Sequence, residues 1–83
     1  MDWQQYEDEM IATACAYTLT EFLGRGKYQV VNFINAKDCA KEWSRIRAEE
    51  PHRRVLMYAV CQPPNRAMCV NVPINSIMAE QYL

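Results

Sequence analysis

The stretch Val55–Val72, VLMYAVCQPPNRAMCVNV, constrains this chain more than any other. Val55–Cys61 is an unbroken apolar and aromatic run of strand length, so it carries apolar side chains on both faces of a strand. Pro63 and Pro64 cannot continue a hydrogen-bonded ladder and mark a turn. The return segment, AMCVNVPI (67–74), places Met68, Val70 and Val72 on one face. A lone hairpin is marginal in water. The rest of the chain must therefore supply a cover for this one.

The length allows only one such assembly. A chain of 83 residues is a single domain, 1–83, and a small one, with a stability of a few kcal/mol. Its apolar content of 51% against 23% charged residues excludes the low-hydrophobicity, high-charge composition of disordered segments.

Register decides what the hairpin cysteines can do, because side chains alternate faces. With a four-residue loop, Pro63–Arg66, Gln62 opposes Ala67, and Cys61 and Cys69 fall on opposite faces. A three- or five-residue loop would set them opposite each other. Only then do their Cβ atoms come within the roughly 4.5 Å a disulfide needs. The same parity sorts the strand. If Val70 and Val72 face the core, one register puts Leu56, Tyr58 and Val60 with them, and the other puts Val55, Met57, Ala59 and Cys61 there. Either way an apolar set remains on the second face. If helices leave that face uncovered, it becomes a binding surface or a homodimer interface.

Upstream, KYQVVNFI (27–34) reads as a strand, β-branched and aromatic between Gly26 and Asn35. NAKDCAKEWSRIRAEEP (35–51) is the clearest helix. Ala36, Cys39, Ala40, Trp43 and Ile46 make its apolar face, Asn35 is its N-cap and Pro51 its stop. Lys37, Lys41, Arg45 and Glu49 share the solvent side, where i,i+4 pairs form. Residues 2–23 fit two patterns. Trp3, Tyr6, Met10, Ala14 and Tyr17 follow helical steps, with Asp2 as a cap and Gly24 as a terminator. CAYTLTEFL (15–23) also alternates as a strand would, which makes Gly24-Arg25-Gly26 a hairpin turn. The alanines at 12, 14 and 16 favour the helix, and that reading is adopted. A short closing helix follows Asn75 or Ser76. The expected order is α-β-α-β-β-α: an α+β domain whose three-stranded, mainly antiparallel sheet packs against helices.

Little here resembles reactive chemistry. The four cysteines, Cys15, Cys39, Cys61 and Cys69, lie 24, 22 and 8 residues apart, and His52 is the only histidine. Zinc sites use at least one close ligand pair, so no metal is expected. His52 lies nine residues before Cys61 on one strand, roughly 30 Å at about 3.3 Å per residue, too far to activate it as a nucleophile. The cysteines read as core filler. Gly24-Arg25-Gly26-Lys27 lacks the phosphate-loop spacing and precedes a strand. No acid pair is placed to split two pKa values. The expectation is a protein that is not an enzyme, without catalytic residues, metal or cofactor.

Charge is distributed unevenly. Residues 1–23 hold five acids and no base, while 25–66 hold all nine bases against four acids. Such blocks steer association with charged partners. Two contact patches follow: an acidic head of Asp2, Glu7, Asp8 and Glu9, and a basic helix face of Lys37, Lys41 and Arg45. The first ten residues have no basic start, and no apolar stretch spans a bilayer. That points to the cytoplasm and to no membrane association. No motif carries a family resemblance. By analogy of size and charge alone, the expectation is a small inhibitor of a larger, nucleic-acid-binding host complex, of the kind phages and mobile elements encode, such as an anti-CRISPR protein. The alternative is a nucleic-acid-binding or regulatory protein using the basic segment 25–66, with Tyr28, Phe33 and Tyr58 to stack bases. Against that stands a sequence pI near 5.7.

Overall fold

In the computed structural model, which describes residues 3–64 and 67–83, the chain runs α1 (Trp3–Ile11), β1 (Ala14–Gly24), β2 (Lys27–Phe33), α2 (Ala36–Glu49), β3 (Val55–Cys61), β4 (Val70–Ile74) and α3 (Ser76–Gln81). The α+β class holds. The expected three-stranded sheet and α-β-α-β-β-α order do not: the sheet has four strands, all antiparallel to their neighbours, in the order β2-β1-β3-β4.

The correction lies in residues 12–24. The first helix stops at Ile11, where Thr13 donates its hydroxyl to the Met10 carbonyl at 2.6 Å. The chain then extends as a strand. Two β-branched threonines and two aromatics between Tyr17 and Phe22 suit a pleated surface better than a helix. The helical spacing of Met10, Ala14 and Tyr17 is real, but it competes with strict alternation over 17–22. Alternation wins because β1 is central and gains two ladders, one with β2 and one with β3. The turn agrees. Gly24 pairs with Lys27, leaving Arg25 and Gly26 as a two-residue loop with φ of 54° and 72°. Positive φ at both central residues is the requirement of a type I′ hairpin, whose twist matches that of the flanking strands. Cys15 is the extra residue of a bulge between Ala14 and Ala16.

The β2–α2–β3 connection places β2 and β3 parallel to each other on either side of β1. α2 begins as the sequence indicates. Asn35 Oδ1 accepts from the Asp38 amide at 2.9 Å, and Asn75 caps α3 the same way through the Met78 amide. These side-chain acceptors satisfy amides that a helix start leaves unpaired.

At the β3–β4 hairpin, Cys61 pairs with Val70 and Ala59 with Val72. This is the register that turns Val55, Met57, Ala59 and Cys61 inward. Met57, Ala59, Cys61, Val72 and Ile74 pack with Leu19 of β1 and with Cys39, Ala40, Trp43, Ile46 and Ala79 of the helices. α1 adds Met10 and Ile11 to the same core, and α3 adds Tyr82, whose ring meets Tyr17 edge-on at 5.9 Å. All three helices therefore lie on one face of the sheet. No described helix is long and apolar enough to cross a membrane.

Candidate functional site: the open face of the sheet

With every described helix on one side, no described element covers the second face of the sheet. Its rows follow from the register. Arg54, Phe22 and Tyr28 form the first, since Phe22 pairs with Tyr28 and its amide donates to the Arg54 carbonyl at 2.9 Å. Leu56, Thr20 and Val30 form the second; Pro73, Tyr58, Thr18 and Asn32 the third; Asn71, Val60 and Ala16 the fourth. Phe22 is 43%, Tyr28 64%, Val30 45% and Leu56 48% exposed. Thr18 alone is buried, being short and flanked by the longer Asn32 and Tyr58. A shallow groove of about 290 Å³ runs between Thr20, Phe22, Tyr28, Val30, Tyr58 and Asn71. None of the residues in these rows is a carboxylate.

Phe22, Tyr28, Val30 and Leu56 thus stand exposed in two adjacent rows, and clustered rather than scattered apolar groups are what marks an interaction surface. Half of it was foreseeable. The leftover set of the hairpin is Leu56, Tyr58 and Val60, as one of the two parities requires. Phe22 and Thr20 lie on β1, where the expectation is a helix; Val30 lies on the expected strand 27–34, but its face depends on pairing with β1. Phe33, expected as a stacking ring, instead packs against the core.

The two charged patches expected from sequence lie elsewhere. Glu7, Asp8 and Glu9 are exposed on α1, on the helical side of the sheet, and Asp2 lies outside the described residues. Lys37 and Lys41 are exposed on α2. Arg45 is engaged within its own helix end, pairing with Glu42, with Glu49 at 3.0 Å and with Glu50 at 3.3 Å. Arg47 stacks over the Trp43 ring at 4.7 Å. Arg45 and Arg47 thus serve the fold rather than a free basic surface, and Arg66 lies outside the described residues.

Arg53 is also structural. Its guanidinium donates to both carboxylate oxygens of Glu21, at 2.7 and 3.0 Å, and to Glu50 at 3.0 Å, tying β1, the start of β3 and the end of α2 together. Gln29 adds a bond to Glu21 at 3.2 Å. The Arg53 hydrogen bond holds the Glu21 carboxyl below its usual range. A depressed folded-state pKa gives stability that is complete above the unfolded value, near 4.5, and lost as pH falls through the folded one. The melting temperature of wild type should therefore exceed that of Glu21→Gln at neutral pH. The gap should narrow as pH falls from neutral through 4.5 and below, because the wild-type carboxyl then takes up a proton and becomes neutral, as the glutamine already is. Thermal melts across that range read it directly.

The cysteines divide into two classes. Cys39 and Cys61 are buried and Cys15 and Cys69 exposed, all four as free thiols. Burial pushes the Cys39 thiol up to about 12 and raises Cys61 as well, which suppresses the thiolate that reacts. Cys69 donates to Gln62 at 3.1 Å rather than meeting Cys61. Iodoacetamide should label the two exposed cysteines of the native protein quickly and all four only in denaturant, as intact-mass spectrometry would show. Among the described residues, no three His, Cys, Asp or Glu side chains gather as metal ligands.

No protein-family model matches this chain, and neither the curated proteins nor the solved structures contain a significant match. The site therefore rests on its own geometry.

Proposed function

We propose that this is a non-enzymatic interaction protein that docks a larger protein partner onto the open face of its sheet. The supporting observation is that face: four exposed apolar or aromatic side chains, Phe22, Tyr28, Val30 and Leu56, in two adjacent rows, with Tyr58 and Val60 continuing the surface. Interface centres are rich in aromatic residues and arginine and poor in charge. A rigid antiparallel sheet presents such groups with little ordering cost on binding. Partners of small proteins of this kind are often large assemblies, and occupation of a functional surface by an 83-residue domain would inhibit it. This is the inhibitor reading, of the phage anti-defence type. The face is free of carboxylates and carries Arg54 at one end, so the complementary partner surface is apolar with a negative rim.

The test is capture from host lysate after nuclease treatment, with tagged wild type beside Leu56→Asp. Wild type should retain a stoichiometric protein and Leu56→Asp should not. Equal retention by both would remove the open face as the contact surface. Sedimentation of the protein alone separates a second copy of the chain, which would appear as a dimer that Leu56→Asp dissociates.

A further inference from the structure

One end of the open face differs from the rest. Between the β1–β2 turn and the start of β3 lies a cleft of about 850 Å³ whose walls include Phe22, Tyr28, Lys27, His52, Arg53 and Arg54. The two rings are cross-strand neighbours and both exposed. The cations divide into two sets. Arg53 is neutralised by Glu21 and Glu50. Lys27 and Arg54 have no carboxylate partner among the described residues, and Arg25 stands at the tip of the same turn. Glu21, the single carboxylate in the cleft wall, has both oxygens held by Arg53 and one also by Gln29. The cleft therefore combines exposed aromatic surface with uncompensated positive charge. Where β1 turns into β2, the wall is glycine backbone: a Cβ at Gly24 or Gly26 would meet nothing within 4 Å.

We infer that this cleft binds a nucleotide unit, its base stacked on Phe22 and Tyr28 and its phosphate held by Lys27 and Arg54 with His52 alongside. Base–aromatic stacking tolerates any base, and paired cations beside it track the phosphate. The apolar, carboxylate-free rows beyond Phe22, with Thr20, Asn32 and Asn71 as hydrogen-bonding groups, leave a path along which a single strand can continue without meeting negative charge. The site shares Phe22 and Tyr28 with the proposed protein contact, and both can act together if the partner is a nucleoprotein complex. The nucleotide cleft stands on its own evidence and does not depend on the protein reading.

Free nucleotides and single strands present the same chemistry, and two probes separate them. Fluorescein-labelled oligothymidylate is titrated by anisotropy. ATP is titrated by two-dimensional NMR, following the Phe22 and Tyr28 amides. Saturable binding that falls more than tenfold in Arg54→Glu and in Tyr28→Ala, but not in Lys41→Glu on the helical side, supports the site. Log–log salt dependence should have a slope of about −1.4, from the two phosphate-holding cations, Lys27 and Arg54, at about 0.7 each. ATP binding with the same sensitivity to variants identifies free nucleotide as the source; oligonucleotide binding alone identifies a strand. Far-UV circular dichroism confirms that each variant folds, as exposed positions should allow. Three results would overturn the inference: neither probe binding at low salt, binding that Arg54→Glu and Tyr28→Ala leave intact, or an equal loss in Lys41→Glu. Protein capture that depends on Leu56 while neither probe binds would leave the protein contact standing and the nucleotide cleft excluded.

Discussion

Met57→Ala should remove most of this protein's margin of stability, while the adjacent Leu56→Ala should leave it nearly intact. Met57 is 1% exposed and sits in the middle of the sheet, paired with Leu19 on one side and Ile74 on the other. Truncating a buried methionine costs about 2–5 kcal/mol through lost transfer energy and the cavity left behind. A domain this small holds only a few kcal/mol in total. Leu56 is one residue away and 48% exposed. Its truncation exchanges one half-hydrated surface for another and should cost less than about 1 kcal/mol, in the range of surface substitutions. Urea unfolding followed by tryptophan fluorescence distinguishes the two: a large fall in midpoint for Met57→Ala and a small one for Leu56→Ala, at similar slope. Comparable losses at both positions would mean that the second face is covered after all.

The second large effect is on association. Placing a carboxylate at the centre of the open face, as in Leu56→Asp or Val30→Asp, should abolish partner capture, a loss of a hundredfold or more in affinity. The two positions share a row with Thr20 between them, so a docked protein would bury either one. An unpaired carboxylate taken out of water costs several kcal/mol in practice, and about 2.7 kcal/mol already corresponds to a hundredfold. Reversing Lys37 and Lys41 together should change capture little, because both sit on α2, on the far side of the sheet. If the lysine pair matters more than Leu56, the contact surface is the basic helix face expected from charge blocks alone. Comparing the two variant sets by quantitative pull-down distinguishes the two surfaces.

The open face and the covered face have opposite consequences for the same strand, and that contrast shows what sequence reasoning reaches. Local signals were sufficient wherever one pattern stood without a rival. The apolar face of α2, its Asn35 cap and its stop before Pro51 depend on periodicity and on side-chain groups within a few residues. The β3–β4 hairpin follows from an apolar run, a double proline and a β-branched return. Side-chain parity narrows its faces to two sets and leaves one apolar set with no place in a one-sided core.

Residues 12–24 are different, because there helical spacing and strand alternation coexist. Met10, Ala14 and Tyr17 satisfy one period, and Tyr17 to Phe22 satisfy the other. Isolated segments of that length have little preference of their own. The decision came from two partners distant in sequence, β2 and β3, whose edges β1 completes. That choice then determined the site. Only with β1 as a strand does Phe22 stand between Tyr28 and Arg54, and only with three helices on one side does that row remain exposed. Composition and order determined that this chain makes a small α+β domain with one strong hairpin, a capped helix and more apolar strand surface than its helices can cover. Which face stayed open, and which charges were left unpaired beside it, is a matter of register and of long-range ion pairs such as Arg53 with Glu21. Those exist only when the whole sheet has formed.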